Sequence, residues 1–268
     1  MLRLCAMNSI LLLAISFIFF LFFIYSIRAL RTISRKTSAL RRENRQLNSD
    51  VRALGKKLSK EMWQHYRQGE NYQQLIRLLN FTRALPPTRS FAASPDLLLT
   101  LAQIVEKKPP KLIVELGSGV STLVMAKALP LGSQTKIISF DHSPEYAEKT
   151  RELLADHGIT GVEIRVAPLE MYDDQRSWYA KSAFSDIQEI GLLVIDGPPG
   201  SKDPQARSAA RLELLSRLNA EAIVIIDDTG RDGEHEMAEQ FAKELPTHDL
   251  IFLPHEKGTA IISPKVHQ

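Results

Sequence analysis

Cysteine is nearly missing from this chain of 268 residues, and Cys5 stands alone. A single thiol closes no intrachain disulfide and builds no cysteine-rich zinc site. Charge is missing from Leu4 to Ile27, where the stretch Ile10–Tyr25 is almost purely Ile, Leu and Phe. Acid is scarce just beyond, since residues 28–60 hold 11 Lys and Arg against 2 Asp and Glu. Residues 1–27 add only Arg3, so the formal total of +3 leaves residues 61–268 at −7. An acidic body on a basic neck argues against nucleic acid as the main partner. Long repeats and low-complexity tracts are missing too. What is present is apolar material, 44% of the residues against 24% charged, which excludes disorder throughout.

A bilayer core of about 30 Å asks for roughly 20 apolar residues in a helix, and the uncharged segment meets that length. A cleaved signal peptide is the competing reading. The apolar run is too long for one, and Tyr25-Ser26-Ile27-Arg28 has no A-x-A-like cleavage site. Residues 1–27 are therefore expected to be a retained single-pass anchor in a lipid bilayer. Arg28, Arg31, Arg35, Lys36, Arg41, Arg42 and Arg45 follow it, and the positive-inside rule puts the C-terminal body in the cytoplasm. Those groups also lie where anionic lipid would attract them, by about 1 kcal/mol each.

The neck, residues 28–85, carries a heptad pattern. With Leu30 at position a, Ile33, Leu40, Leu47 and Leu54 fall at d, and Thr37, Asn44, Val51 and Leu58 at a. Leucine at d with one Asn at a is the pattern of a parallel two-stranded coil, which predicts a homodimer through residues 30–58. Gly55 interrupts the repeat, and Lys36 would face Arg41 of the partner helix. A solvated amphipathic helix is the alternative.

Residues 61–83 read as a continuing helix ended by Pro86-Pro87, and residues 86–268 as the catalytic domain. Ser94-Pro95-Asp96 offers an N-cap, a first-turn proline and an acid, opening a helix that runs to about Lys107. Apolar runs follow at Lys111–Glu115, Lys136–Phe140, Val162–Val166, Gly191–Ile195, Ala222–Ile226, Leu250–Leu253 and Thr259–Ile262. Helical patterns begin between them near Ser121, Ser143-Pro144, Pro204 and Gly233. This alternation predicts an α/β fold: a doubly wound, Rossmann-like, seven-stranded sheet covered on both faces. The last two runs are too close for a helix between them and should form an antiparallel hairpin.

Chemistry-bearing residues gather where strands end. The first strand runs into Glu115-Leu116-Gly117-Ser118-Gly119-Val120-Ser121-Thr122. Glycines at such a turn let backbone approach a ligand, and the N–H groups of the helix start bind polar groups. A nicotinamide fingerprint wants glycine at position 122, where this chain has Thr, and does not need Glu115. An acid there suits a ligand bearing an amino group. Asp141, at the tip of the second strand, can accept both hydroxyls of a ribose. His142 follows it, and Pro168-Leu169 ends the third strand as an apolar seat. Asp196 ends the fourth strand and Asp227-Asp228 the fifth, and three such carboxylates can hold a hard divalent cation.

The ordered set resembles the class I S-adenosylmethionine-dependent methyltransferases, over roughly residues 90–265. It is closest to a bacterial branch, through Ala93–Leu99, Val114–Thr122, Asp141-His142 with Tyr146-Ala147, Ala167–Leu169, Asp196–Gly200 and Asp227-Asp228. The resemblance implies S-adenosyl-L-methionine as cofactor, with Glu115, Gly117, Ser118, Gly119 and Ser121 at its methionine end. It puts Asp141 on the ribose, and Pro168 and Leu169 beside the adenine. A second resemblance, to cation-dependent O-methyltransferases of the catechol type, implies Mg2+ held by Asp196, Asp227 and Asp228. The chain departs from that pattern twice: Asp228 replaces an Asn, and Pro199 stands where that family has a lysine base. Lys202 is nearby but out of register.

Methyl transfer asks a protein for positioning and for removal of the acceptor's proton. Asp196, His142 and His255 are the candidate bases, Asp196 foremost. The expected activity is O-methylation of a small-molecule or lipid-linked acceptor, such as an envelope-glycan precursor, at the cytoplasmic face of a bacterial inner membrane. A non-catalytic coiled-coil scaffold with a degenerate domain is the alternative, and a nicotinamide oxidoreductase stands third.

Overall fold

The computed structural model describes residues 2–90, 92–172, 176–200, 203 and 205–265, without the side chains of residues 2–11 and 14. Lys202 and Pro204, and the side chains of Arg3, Cys5 and Ile10, lie outside that description. The chain forms two compact units, Met1–Trp63 and Gln64–Gln268.

The first unit is helix alone, part of α1 (Leu2–Leu79). From Ile15 onward α1 contains a window of mean hydropathy 1.6, long and apolar enough to cross a membrane by length and composition. The helix passes through Gly55 without a break. Leu30, Ile33, Leu40, Leu47, Val51, Leu54 and Leu58 are all more than half exposed.

In the second unit the remainder of α1 is no longer neck, because Leu75 and Leu79 are buried. The sequence predicts helix to residue 83; α1 stops at Leu79, with Asn80 in the left-handed region at φ 48°. Asn tolerates that conformation better than most residues, so the stop needs no proline. After α2 (Pro95–Lys107), the chain alternates β1 (Leu112–Leu116), α3 (Val120–Ala128), β2 (Lys136–Asp141), α4 (Pro144–Asp156) and β3 (Val162–Val166). Next come two short strands, β4 (Leu169–Met171) and β5 (Ser177–Tyr179), then β6 (Ile190–Ile195). The expected helix near 204 is broken: a 3-10 turn at Ala206–Ser208, α5 (Ala209–Leu214), and another turn at Leu215–Arg217. β7 (Leu218–Asp227), α6 (Asp232–Glu244), β8 (His248–Leu253) and β9 (Thr259–Pro264) complete the chain.

Seven strands form one sheet in the order β3-β2-β1-β6-β7-β9-β8. The first five pair in parallel, and β9 inserts antiparallel between β7 and β8, as the expected hairpin. Alternate residues serve opposite faces. Ile113, Ile137, Leu192, Val194 and Ile225 pack with α2, α3 and α4, whereas Val114, Leu116, Phe140, Leu193, Ile195 and Val224 pack with α5, α6 and β5. β4 and β5 form a separate antiparallel pair that three-residue strands leave invisible to periodicity.

One buried carboxylate ties three elements together. Asp96 accepts hydrogen bonds from Gln68 Nε2 at 2.6 Å, Ser94 Oγ at 2.6 Å and the Glu256 amide at 2.8 Å. Ser94 therefore does not cap α2 with its side chain as expected; its hydroxyl donates to Asp96, which itself accepts the Leu97 amide. Burial raises the Asp96 pKa, but the bonds from Ser94 and Gln68 outweigh it and leave it below the ordinary carboxylate value. Asp96→Ala strands four donors and is expected to cost about 2–4 kcal/mol of stability in denaturant titration of the full chain. The wild-type advantage is complete above the unfolded carboxylate pKa and is lost as pH falls through the lower folded value.

Candidate functional site

The carboxyl ends of β2, β1, β6 and β7 meet along one edge of the sheet, where open α/β sheets bind ligands. Two glycines let β1 and β6 close there. Gly117 sits at φ +97°, and a Cβ on it would lie 3.3 Å from the Asp196 carbonyl carbon. A Cβ on Gly197 would meet the Tyr179 hydroxyl at 2.4 Å and the Gly117 amide at 3.1 Å. Gly119 is different: no atom lies within 4 Å of its Cβ position, which leaves open space above the start of α3.

Glu115 lies beneath this turn, fully buried. Its Oε2 accepts hydrogen bonds from Thr122 Oγ1 at 2.5 Å and Ser139 Oγ at 2.6 Å, and Thr122 in turn accepts the Gly119 amide at 3.0 Å. Threonine at 122 thus connects the acid to the glycine turn, a role that no glycine could fill. Glu115 Oε1 makes no hydrogen bond of normal geometry, although the Ser121 hydroxyl is near enough to favour the charged form. Burial dominates and pushes the carboxyl up to about 7, against the opposing hydroxyls.

Asp141 is buried at the end of β2. Its Oδ2 accepts from the Ser118 hydroxyl at 2.8 Å and the Ser118 amide at 3.3 Å, and Oδ1 accepts the Ser143 amide at 2.9 Å. Oδ2 thus uses both of its lone pairs, and Oδ1 retains one. His142 Nδ1 lies 3.5 Å from Asp141 Oδ1, two strands away from Asp196. Pro168 and Leu169 are exposed just beyond β3, with Leu169 opposite Tyr179 in the β4–β5 pair.

Asp196, Asp227 and Asp228 come together as expected, with one oxygen of each within 4.8 Å of the others. Among them, Asp196 is the acid open to the cleft, its side chain 16% exposed against 1% and 6% for the others. Burial, then Asp227, drives the Asp196 pKa upward; burial, then Asp228, does the same for Asp227. Asp228 sits at φ 64°, in the left-handed region that Asp tolerates.

Sequence reasoning missed Arg207, which is almost wholly buried against these acids. Its Nη2 stands 3.0 Å from Asp228 Oδ2 and 3.3 Å from Asp196 Oδ1. The same guanidinium donates to the main-chain oxygens of Asp196, Pro198 and Asp227 at 2.7, 3.2 and 3.3 Å. Lys257 Nζ lies 3.8 Å from Asp227 Oδ2. His255 is linked to Thr259 Oγ1 at 3.0 Å and Thr100 Oγ1 at 3.4 Å, and Thr259 donates to Asp227 at 3.4 Å. Tyr179 was missed as well; its buried hydroxyl has no hydrogen-bond partner.

Residues 114–229 match a family described as "Methyltransferase domain". No curated protein sequence matches the chain. Among solved structures, it is similar to an SAH-bound methyltransferase of Podospora anserina, PaMTH1, at 19% identity and a TM-score of 0.52 over 72% of this chain and 88% of that one. It is also similar to an O-methyltransferase of Bacillus cereus in complex with SAH, at 16% identity and a TM-score of 0.51 over 73% and 91% of the two chains. A methyltransferase of Geobacter sulfurreducens is a third, at 17% and 0.50 over 74% and 89%. The fold is thus shared with S-adenosylmethionine-dependent methyltransferases solved with SAH, and the stretch from β1 to the end of β7 matches a methyltransferase-domain family.

The residues present fit that cofactor. An unpartnered oxygen of Glu115, the open glycine turn and Asp141, whose Oδ1 keeps one lone pair, line neighbouring strand ends. Because the folded state holds Glu115 protonated above its ordinary pKa, its contribution to stability declines as pH rises from about 4.5 towards 7, by at most about 1.4 kcal/mol per unit. Glu115→Gln is expected to lack this decline in a melting series over pH.

Proposed function

We propose that the protein transfers a methyl group from S-adenosylmethionine to an oxygen of a membrane-associated acceptor, such as an envelope-glycan precursor, at the cytoplasmic face. The observation that carries this reading is the row of Glu115, Gly117-Ser118-Gly119 and Asp141 along one edge of the sheet. When bound, the cofactor supplies a sulfonium methyl group to an in-line nucleophile.

Each residue has a distinct task in this reading. Glu115 and Ser121 receive the methionine amino group from beneath the turn, and the open space over Gly119 lies at the same end. Asp141 accepts the ribose hydroxyls, while Pro168 and Leu169 flank the adenine. Asp196, the open acid of its cluster, takes the proton of the acceptor hydroxyl as oxygen forms its bond to carbon. Its raised pKa suits a base working near neutrality. His142, held by Asp141, orients the ribose acid rather than serving the acceptor. His255 supports Asp227 through Thr259.

The apolar N-terminal part of α1 is read as the anchor, with the basic neck at the cytoplasmic surface. Tethering raises the effective concentration of the domain for substrates held on the same surface. The exposed heptad stripe is read as the seam of a parallel homodimer, with Asn44 setting register. Within one chain Asn44 Oδ1 accepts from Asn48 Nδ2 at 2.7 Å.

Calorimetry of the full chain in detergent is expected to show micromolar binding of S-adenosylmethionine. Asp141→Ala should weaken it at least tenfold, about 1.4 kcal/mol for the lost ribose bonds; unchanged affinity would remove Asp141 from the site. Chemical cross-linking should trap a dimer of the wild type, and Asn44→Leu should shift its register or oligomeric state. An unchanged monomer in both would end the coiled-coil reading.

A further inference from the structure

The cation implied by the catechol-type resemblance meets an obstacle in the side chains around its three acids. A divalent ion needs carboxylate oxygens whose charge is uncompensated. Here Asp196, Asp227, Asp228 and Glu234 are faced by Arg207, Lys257 and Arg231, so four acids meet three cations. Arg207 is the central one. Nη2 reaches Asp196 and Asp228, Nη1 lies 3.8 Å from Glu234 Oε1, and the three nitrogens together hold the main-chain oxygens of Asp196, Pro198 and Asp227. Its side chain is only 6% exposed.

We propose that Arg207 takes the place of the divalent cation, so that this site binds no metal and the reaction proceeds without one. Three features support it. A planar guanidinium presents five N–H donors in a fixed fork, enough to gather carboxylates and carbonyls from two adjacent strand ends. That is the geometric task a metal performs when it fixes acids from β6 and β7. Second, adding two positive charges to a cluster short of balance by one would leave like charges within a few ångströms, in a setting where screening is weak. Third, the sequence departs from the catechol type at the same place, with Asp228 in place of an Asn and Pro199 in place of the lysine. An Asp gives a guanidinium the charged partner that an amide would not.

This assignment has a consequence for substrate class, which rests on the methyl-transfer reading. A metal-dependent site selects acceptors that offer two neighbouring oxygens for chelation. A site organised by Arg207 makes no such demand, so an isolated hydroxyl beside Asp196 suffices, as on a sugar ring bearing only one free hydroxyl at that position. The acceptor oxygen would then be held by hydrogen bonds, with Asp196 as the proton's destination.

The test is cation binding, read by the paramagnetic resonance signal of free Mn2+ in titrations of the full chain in detergent. Wild-type protein is expected to leave the free Mn2+ signal unchanged. Arg207→Ala should remove one Mn2+ per chain from solution, and that uptake should vanish when Asp227→Asn is added. Arg207→Lys keeps the charge and should still exclude the ion. Wild-type uptake that Asp227→Asn abolishes would overturn the proposal, and so would a folded Arg207→Ala protein that takes up none. Should Arg207→Ala not fold by circular dichroism, the wild-type titration alone decides. Cofactor affinity measured with EDTA and with Mg2+ should be equal, and a tenfold difference would also overturn it. A protein that binds neither S-adenosylmethionine nor Mn2+ would sink the methyl-transfer reading while leaving the arginine assignment in place.

Discussion

Burying several acids at one edge of a sheet is the constraint on which this domain's architecture turns. Removing a carboxylate from water is costly unless it is paired or protonated. The second unit has two solutions for neighbouring strand ends. At β1, Glu115 is held by hydroxyls from Thr122 and Ser139, and burial keeps its proton on until about pH 7. At β6 and β7, the acids share a guanidinium, and burial, which acts against the charge of Arg207, is outweighed by Asp196 and Asp228. A hydroxyl cage leaves an acid able to respond to a cationic ligand. A guanidinium leaves acids fixed.

That difference divides the edge by function. The β1–β2 side has an oxygen of Glu115 without a hydrogen bond and open space over Gly119. The β6–β7 side is already internally satisfied apart from Asp227 Oδ2 and Glu234 Oε2, and Asp196 is the most exposed of its three aspartates. On the proposed reading the cofactor takes one side and the proton acceptor the other, the arrangement that in-line methyl transfer requires. The close contact of Gly117 with Asp196 and Gly197 sets the distance between the two halves.

Much of this was legible in the sequence, for a physical reason. Parallel strands buried on both faces read as unbroken apolar runs, and the acids and glycines at their ends are chemically conspicuous. The seven main strands, the closing hairpin and the meeting of Asp196 with Asp227 and Asp228 followed from that. What escaped was whatever depended on partners distant in the chain. Arg207 looks like one basic residue among many until the fold sets it against acids 11, 21 and 27 positions away. Tyr179 lies in a strand too short for a period. Ser94 had the right place for a cap, but a stronger acceptor, Asp96, sits two residues on.

The same reasoning bears on why the chain has a neck at all. A methyltransferase domain needs neither a 78-residue helix nor a run of arginines to bind its cofactor. Both make sense if the acceptor is confined to a surface. Confinement substitutes for acceptor affinity, because a tethered enzyme meets its substrate at a high local concentration. An acceptor site built by hydrogen bonds around Asp196, without the grip of a metal, is weak for a freely diffusing substrate and adequate for one confined to the same surface. On the proposed reading the apolar helix and Arg207 belong together: the first supplies the encounter, and the second removes the need for chelation.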